Sequence, residues 1–232
     1  MADTPNKQIE KLSRMKSYTM LCRDFYTGTI RVMTEKYLPK WSGETEGGYE
    51  VRKSSTAFVN MFAPIIDGLA GLITKKEPTP TGYDKIDMNN VDLKHHSIAS
   101  FSKMIVKKAL TDGIVFISAE THELKKRAFL KIYNYEDLMS YTFEDGVLKQ
   151  IVFKDTLEEK DGKFGIKLLE RYVVFKVGGG AVWYKSEGSD TITRQETWEN
   201  SLKEIPVVWV QTGKELTEFE VIPKLYDIAN LN

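Results

Sequence analysis

The chain offers few side chains that could perform chemistry together. His95 and His96 are adjacent, and His122 is the third histidine of the sequence. A histidine metal site needs ligands on facing elements, and a Ser-His-Asp triad needs a histidine held between two partners. Adjacent histidines in a predicted loop are more typical of solvated side chains. We therefore expect no catalytic residues, no metal ligands and no cofactor-binding residues.

Other chemistry-like patterns have simpler interpretations. The glycines at 178–180 lack the following lysine and serine or threonine of a phosphate-binding loop, and they join two predicted strands. They indicate a hairpin turn. The carboxylates of Glu136 and Asp137 lie near predicted turns, where turn propensity explains them. The basic cluster at 125–127 is more typical of an exposed loop than of a phosphate contact.

Composition excludes several classes of protein. The 232 residues include 33 basic and 33 acidic side chains, which argues against a protein that mainly holds nucleic acid by counterion release. The single cysteine, Cys22, permits no intrachain disulfide and suits a reducing compartment. The N-terminus lacks the apolar core of a signal peptide. The longest apolar stretch, 58–73, contains Asn60, Pro64 and Asp67, so we expect no membrane span.

Apolar periodicity predicts three helices in the first half of the chain. They lie near residues 5–33, 49–74 and 97–112, with a kink at Pro64 in the second. The apolar period changes from that of a helix to that of a strand at Gly113, where the third helix should end.

The second half predicts antiparallel strands between residues 113 and 211. The clearest hairpin has an Asp145-Gly146 turn. The main predicted strands lie at 139–143, 147–153, 166–177, 181–185, 192–198 and 205–211. Helices followed by an antiparallel meander are typical of the α+β class rather than of α/β proteins. We expect an α+β fold in which N-terminal helices pack on a mostly antiparallel β meander.

A new amphipathic helix is predicted to begin after Pro223. Leu225, Ile228 and Leu231 recur at helical spacing, and a helix this short is marginal by itself. We expect these side chains to require a partner stripe, and the chain to be the N-terminal part of a larger protein. The alternative is a docked helix that completes a domain.

Several short motifs occur in order along nearly the whole chain. They are Tyr37-Leu38-Pro39-Lys40, a helix from near Tyr49 that carries Arg52, Gly68 to Gly71, Lys75-Lys76-Glu77-Pro78, Phe101 in a helix ending at Gly113, the hairpin section from Phe129 to Phe153, Ile205-Pro206, and Leu225 to Asn232. Their order resembles the N-terminal portion of the portal proteins of tailed bacteriophages. Those proteins form the ring at one capsid vertex through which DNA enters and leaves.

The resemblance implies a structural subunit of a portal ring, commonly of twelve subunits, and not an enzyme. Its implied partners are other portal subunits, terminase, head-tail adaptor proteins, capsid or scaffold proteins, and DNA that passes without sequence-specific binding. The implied location is the portal vertex of the virion, after synthesis in the cytoplasm of the bacterial host, with no membrane contact.

The resemblance also divides the chain. Residues 1–112 would be the mainly helical part of the wing, 113–220 the antiparallel β part of the same domain, and 221–232 the start of a stem helix. Leu225, Ile228 and Leu231 would then be stem-helix packing residues. The remaining stem, the clip and the crown of such a portal protein would follow Asn232.

Two other functions stay open. One is a small-molecule-binding or enzymatic α+β domain with a pocket in the β meander, lined by Tyr133, Tyr135, Tyr141 and Trp183. The other is a prophage remnant that no longer assembles. A deep pocket with convergent polar groups would favour the first, and gene context would identify the second.

Overall fold

Helices fill the first half of the chain, and strands fill most of the second. The computed structural model describes residues 4–28, 34, 36–81, 85–122, 127–186, 188–189 and 191–231. The helices are α1 (Glu10–Thr27), α2 (Glu46–Ser55), α3 (Phe62–Ile73), α4 (Ile98–Asp112) and α5 (Tyr226–Leu231), with a 3-10 turn at Tyr135–Asp137. In the part of the chain that is described, no helix is long and apolar enough to cross a membrane.

The strands form three antiparallel sheets. They are β1 (Ile114–His122), β2 (Arg127–Asn134), β3 (Leu138–Glu144), β4 (Val147–Asp161), β5 (Gly165–Lys176), β6 (Gly179–Lys185), β7 (Ile192–Glu199), β8 (Val207–Gln211), β9 (Lys214–Thr217) and β10 (Glu220–Ile222). The first sheet has the order β2-β1-β8, the second is the meander β3-β4-β5-β6-β7, and β9 pairs with β10. The predicted α+β class is confirmed.

The first helix begins later than predicted. Ile9 is extended, and the residues beside it contact the meander: the Ile9 N–H donates to the Met139 carbonyl at 3.0 Å, and the Gln8 side chain donates to the Leu138 carbonyl at 2.7 Å. The helix ends at Thr27, and Gly28 is extended. The predicted end at residues 29–33 lies outside the described residues.

The second predicted helix is two helices, so the prediction of one helix kinked at Pro64 is wrong. Residues 56–61 are not helical, because the Asn60 amide donates to the Phe25 carbonyl at 2.7 Å and its oxygen accepts from the Ala63 N–H at 3.0 Å. Asn60 thereby caps α3 and anchors it to α1. Pro64 falls in the first turn of α3, where a missing N–H costs nothing.

The third predicted helix is confirmed as α4. The Ser97 hydroxyl accepts from the Ser100 N–H at 3.3 Å, which satisfies one free donor of the first turn. At the other end Gly113 has φ +84° and donates to the Ala109 carbonyl at 2.8 Å. A left-handed glycine therefore ends the helix and starts β1.

Local turn chemistry is also confirmed in the meander. Asp145 and Gly146 both have positive φ, as a two-residue hairpin turn requires. The predicted glycine hairpin turns at Val177-Gly178, and Gly179 already belongs to β6. A Cβ on Gly180 would lie 2.2 Å from the Trp198 ring, so this glycine lets the indole of β7 lie against β6. The short hairpin β9–β10 was not predicted.

The main core lies between the three-stranded sheet and the meander. Tyr133 and Phe153 stack with ring centroids 4.3 Å apart, and Phe116 packs against Phe153 at 5.3 Å. Leu12 and Met15 of α1 belong to the same core. A second core joins the helices, and its fully buried members are Cys22, Phe62, Ile66, Ala70 and Ala229. Helix α1 thus contributes to both cores.

We predict that Gly113 is more sensitive to substitution than another left-handed glycine. A Cβ at Gly113 would lie 3.0 Å from the Val221 side chain and 3.1 Å from the Pro223 backbone, whereas a Cβ at Gly178 would meet nothing within 4 Å. Gly113→Ala should lower the free energy of unfolding by about 3 kcal/mol, from φ strain and overpacking. In the control Gly178→Ala only the backbone strain at positive φ applies, so it should lower the free energy of unfolding by about 1 kcal/mol. If urea unfolding shows the same loss of stability in both variants, the contact of the new Cβ with Pro223 is relieved without cost.

Candidate interaction surfaces

The predicted stem-helix residues do not share one environment. Leu225 is half-buried in the helical core, together with Tyr226, whose ring centroid lies 4.8 Å from that of Tyr18. Ala229 is fully buried, and Ile228 is 37% exposed. The side chain of Leu231 lies outside the described residues. Tyr226 and Ala229 of α5, with Leu225 just before it, therefore pack in the helical core, and the packing role of the predicted stripe stays a prediction.

The motif residues between Tyr37 and Arg52 fold into one unit. Arg52 donates from Nε to Glu44 Oε1 at 2.9 Å and from Nη2 to Glu44 Oε2 at 2.7 Å. Its Nη2 also donates to the Pro39 carbonyl at 2.8 Å, and its guanidinium lies 4.3 Å from the centroid of the Trp41 ring. One arginine thus fixes the loop before α2 by a two-pronged ion pair, a backbone contact and a cation–π contact.

Tyr49 and Thr45 complete this unit. The Tyr49 hydroxyl donates to the Leu38 carbonyl at 3.0 Å, and the Thr45 hydroxyl caps α2 by accepting from the Gly48 N–H at 3.2 Å. The hydrogen bond from Arg52 lowers the pKa of Glu44 to about 2. The ion pair therefore persists through neutral and mildly acidic pH. Trp41 remains 66% exposed, held in one position by Arg52.

The end of α3 presents a further apolar surface. Leu72 and Ile73, in its last turn, are both exposed. A Cβ on Gly68 or Gly71 would meet nothing within 4 Å, so among the described residues these glycines do not serve close packing. Neighbouring exposed apolar side chains of this kind can belong to a surface that a partner covers.

His96 and Arg127 have ordinary structural partners, and the side chain of His122 lies outside the described residues. His95 and His96 lie in a loop, and the Nδ1 of His96 is 2.6 Å from Asp92 Oδ2. Arg127 donates to the Asn90 carbonyl and lies 3.3 Å from Asp87 Oδ2. Residues 123–126 are outside the described chain. Among the residues that are described, no group of three His, Cys, Asp or Glu side chains could hold a metal ion.

The four aromatic residues proposed to line a pocket do not surround one cavity. Tyr133 and Tyr135 are each 1% exposed in the core between the sheets, and Tyr141 packs against that core. Trp183 packs on the other face of the meander, against a separate group that includes Tyr172. The structure thus places the proposed lining on two faces of one sheet.

A crevice of about 240 Å³ does open between β2 and β4, beside the core. Asp155 accepts there from Lys131 at 2.5 Å and from Arg171 Nε at 2.7 Å. Burial alone would raise the pKa of Asp155, but the two cations outweigh it and lower the pKa. The ion pair between Lys131 of β2 and Asp155 of β4 thus links the three-stranded sheet to the meander.

We predict that Arg52 protects the loop before α2 from proteolysis. Arg52→Ala removes the contacts to Glu44, Pro39 and Trp41, so trypsin should cleave after Lys40 several-fold faster than in the unchanged chain. Lys53→Ala is the matched control, because Lys53 lies 3.8 Å from Glu50 and 5.8 Å from the centroid of the Tyr49 ring and shares none of the contacts of Arg52 with Glu44, Pro39 and Trp41. Mass spectrometry of the early fragments gives the rate. Equal cleavage in both variants would show that the loop is held by other contacts.

No protein-family model matches the chain, and no curated protein matches it.

Proposed function

We propose that the chain is a structural subunit of a bacteriophage portal ring, contributing its wing and the start of its stem helix. In this proposal it contacts other copies of itself in the ring, and the ring contacts terminase, head-tail adaptor proteins and capsid or scaffold proteins. DNA passes through the ring without sequence-specific binding. The subunit acts by shape and contact and performs no catalysis.

The observation that carries the proposal is the mutual contact of the motif residues between Leu38 and Arg52. Arg52 donates to the carbonyl of Pro39, and Tyr49 donates to the carbonyl of Leu38. Gly113 ends α4 in a left-handed conformation. The contacts between Leu38 and Arg52 make one structural unit of this part of the motif series, and this supports that part of the resemblance beyond similarity of single positions.

The distribution of exposed apolar side chains also favours an assembly subunit. Trp41 lies on the loop before α2, Leu72 on α3, Phe164 on the β4–β5 turn and Val208 on β8, and all four are exposed. A ring subunit has a neighbour on each of two sides and further partners above or below. Apolar surfaces on several separate elements suit that arrangement.

We predict ring assembly that depends on the stem. Residues 1–232 should be monomeric or weakly associated at micromolar concentration, because the resemblance assigns much of the ring contact to the stem and later segments. The chain joined to any sequence that its gene encodes after Asn232 should form rings of uniform subunit number. Light scattering and electron microscopy of both proteins would decide.

Ring formation by the shorter chain and by the longer chain would lead to different conclusions. A stable ring from residues 1–232 supports the portal proposal and shows that the wing carries the contact. No ring from the longer chain contradicts the proposal and favours the alternative of a remnant that does not assemble.

We also predict no hydrolase, kinase or nuclease turnover. In the ion pairs described above, each acidic side chain is neutralised by its basic partner, and the proposal assigns the protein no catalytic group. A broad substrate screen of the purified chain, with and without divalent metals, would test this. Turnover that disappears when Asp155 is changed to Asn, but not when the exposed Glu144 is changed to Gln, would favour the enzymatic alternative with a site in the crevice.

A further inference from the structure

Four aspartates of the chain are followed directly by glycine. They are Asp67, Asp112, Asp145 and Asp161. At an Asp-Gly sequence the glycine amide nitrogen can attack the side-chain carboxyl carbon of the aspartate, because glycine has no side chain to obstruct it. Water leaves, and a five-membered cyclic imide forms. Hydrolysis returns the water at either carbonyl and gives aspartate again or isoaspartate, in which the main chain runs through the former side chain.

Ring closure requires a backbone rotation that regular structure prevents. The torsion ψ of the aspartate must turn until the next nitrogen lies against the side-chain carboxyl group. The hydrogen bonds of a helix or a strand hold ψ at another value. The rate at each Asp-Gly sequence therefore depends on how readily its segment opens, and local opening differs widely between the parts of one folded protein.

Two of the four sequences are held in helices. Asp67 lies inside α3, and its Oδ1 is 2.6 Å from Lys107 Nζ. Asp112 ends α4, is 2% exposed, and both of its carboxylate oxygens accept from Arg23. The Gly113 N–H, which would have to attack Asp112, donates to a carbonyl of α4 at 2.8 Å. Both sequences are therefore protected by the helices and by ion pairs.

Asp161–Gly162 lies at the turn of a hairpin that extends beyond the rest of the meander. Strand β3 pairs with β4 only as far as Phe153, and β6 pairs with β5 only as far as Arg171. Six ladder pairs of β4 and β5 lie farther out, in residues 156–170, which we call the outer hairpin. No other described strand pairs with it. A two-stranded hairpin without further packing is only marginally stable in water.

The tip of the outer hairpin is exposed on both strands. Asp161 and Gly162 are exposed, and so are Lys160 and Ile166, which form the next ladder pair. Phe164 in the turn is 91% exposed. Opening of the tip therefore breaks only ladder hydrogen bonds and disturbs no core packing, so it costs little free energy.

The remaining sequence, Asp145–Gly146, is a close comparison because it is also exposed at a hairpin turn. The residues beside that turn are anchored, however. Leu148 belongs to the main core, and Phe143 packs against it. Opening this turn must disturb core packing, which the opening of the outer hairpin does not.

We propose that Asp161–Gly162 is a modification site at which Asp161 converts spontaneously to isoaspartate, while the fold protects the other three Asp-Gly sequences. Isoaspartate adds one methylene group to the main chain. The ladder pair of Asp161 with Gly165, which closes the turn, then loses its present geometry. Modification therefore weakens the outer hairpin from its tip. This inference does not depend on the proposed function.

Peptide mapping of the aged chain tests the proposal. The purified chain is kept at neutral pH and physiological temperature, and mass spectrometry with electron-based fragmentation, which distinguishes isoaspartate from aspartate, follows the four sequences. A sample unfolded in guanidinium chloride gives the rate that each sequence has without the fold. Relative to that reference, we expect conversion about tenfold faster at Asp161 than at Asp145. Equal relative rates, or no conversion at Asp161, would overturn the proposal.

A variant tests the consequence of the modification. Asp161→Glu keeps the charge, but its longer side chain would have to close a six-membered ring, which forms much more slowly. In the unchanged chain, ageing should make trypsin cleave after Lys163 several-fold faster, because the weakened ladder is open more often. Ageing should not change this cleavage in Asp161→Glu, whereas the matched control Asp145→Glu should age like the unchanged chain. If ageing accelerates cleavage equally in Asp161→Glu, the proposal is wrong.

Discussion

The structure depends on one arginine of α1 that holds three elements at once. Arg23 donates from Nε and Nη2 to the two carboxylate oxygens of Asp112, at 2.7 and 2.5 Å, and its Nη1 lies 2.5 Å from Glu136. Burial would lower the pKa of Arg23, but the hydrogen bond and charge of Asp112, with those of Glu136, outweigh burial and raise it. Asp112 is 2% exposed, so the loss of Arg23 would leave a buried carboxylate without its main partner. The Arg23 guanidinium therefore joins α1 to the end of α4 and to the 3-10 turn Tyr135–Asp137, which connects the three-stranded sheet to the meander.

The position of the β8 edge follows from this junction. Gly113 comes directly after Asp112, and its carbonyl accepts from the N–H groups of Thr212 and Gly213, at 2.8 and 2.9 Å. The Thr212 hydroxyl also donates to the Ala109 carbonyl at 2.6 Å. The end of α4, the start of β1 and the end of β8 thus meet at one place.

Local signals predicted the elements whose ends are set by neighbouring residues. Ser97 and Gly113 bound α4, and Asp145-Gly146 forms the predicted turn, because each acts within a few residues of the chain. The break in the second helix was missed because Asn60 acts through a tertiary contact with Phe25, which no local pattern reveals. The extension of the β4–β5 hairpin through residues 156–170 was missed for a similar reason. How far it projects depends on where the neighbouring strands β3 and β6 end. The predicted packing stripe of α5 could not identify Ala229, whose burial depends on the close approach of α1.

The segments that carry the exposed side chains of Trp41 and Phe164 are stabilised by different contacts. Arg52 stacks on Trp41 and pairs with Glu44, so the loop before α2 is fixed before any partner arrives. The outer part of the β4–β5 hairpin, residues 156–170, pairs only within itself among the described strands, and Phe164 at its turn is 91% exposed. A two-stranded hairpin without a packing partner is only marginally stable in water. The loop before α2 is therefore held by contacts from several residues, whereas the outer hairpin depends on the pairing of its two strands, so we expect the outer hairpin to open locally at a lower free-energy cost.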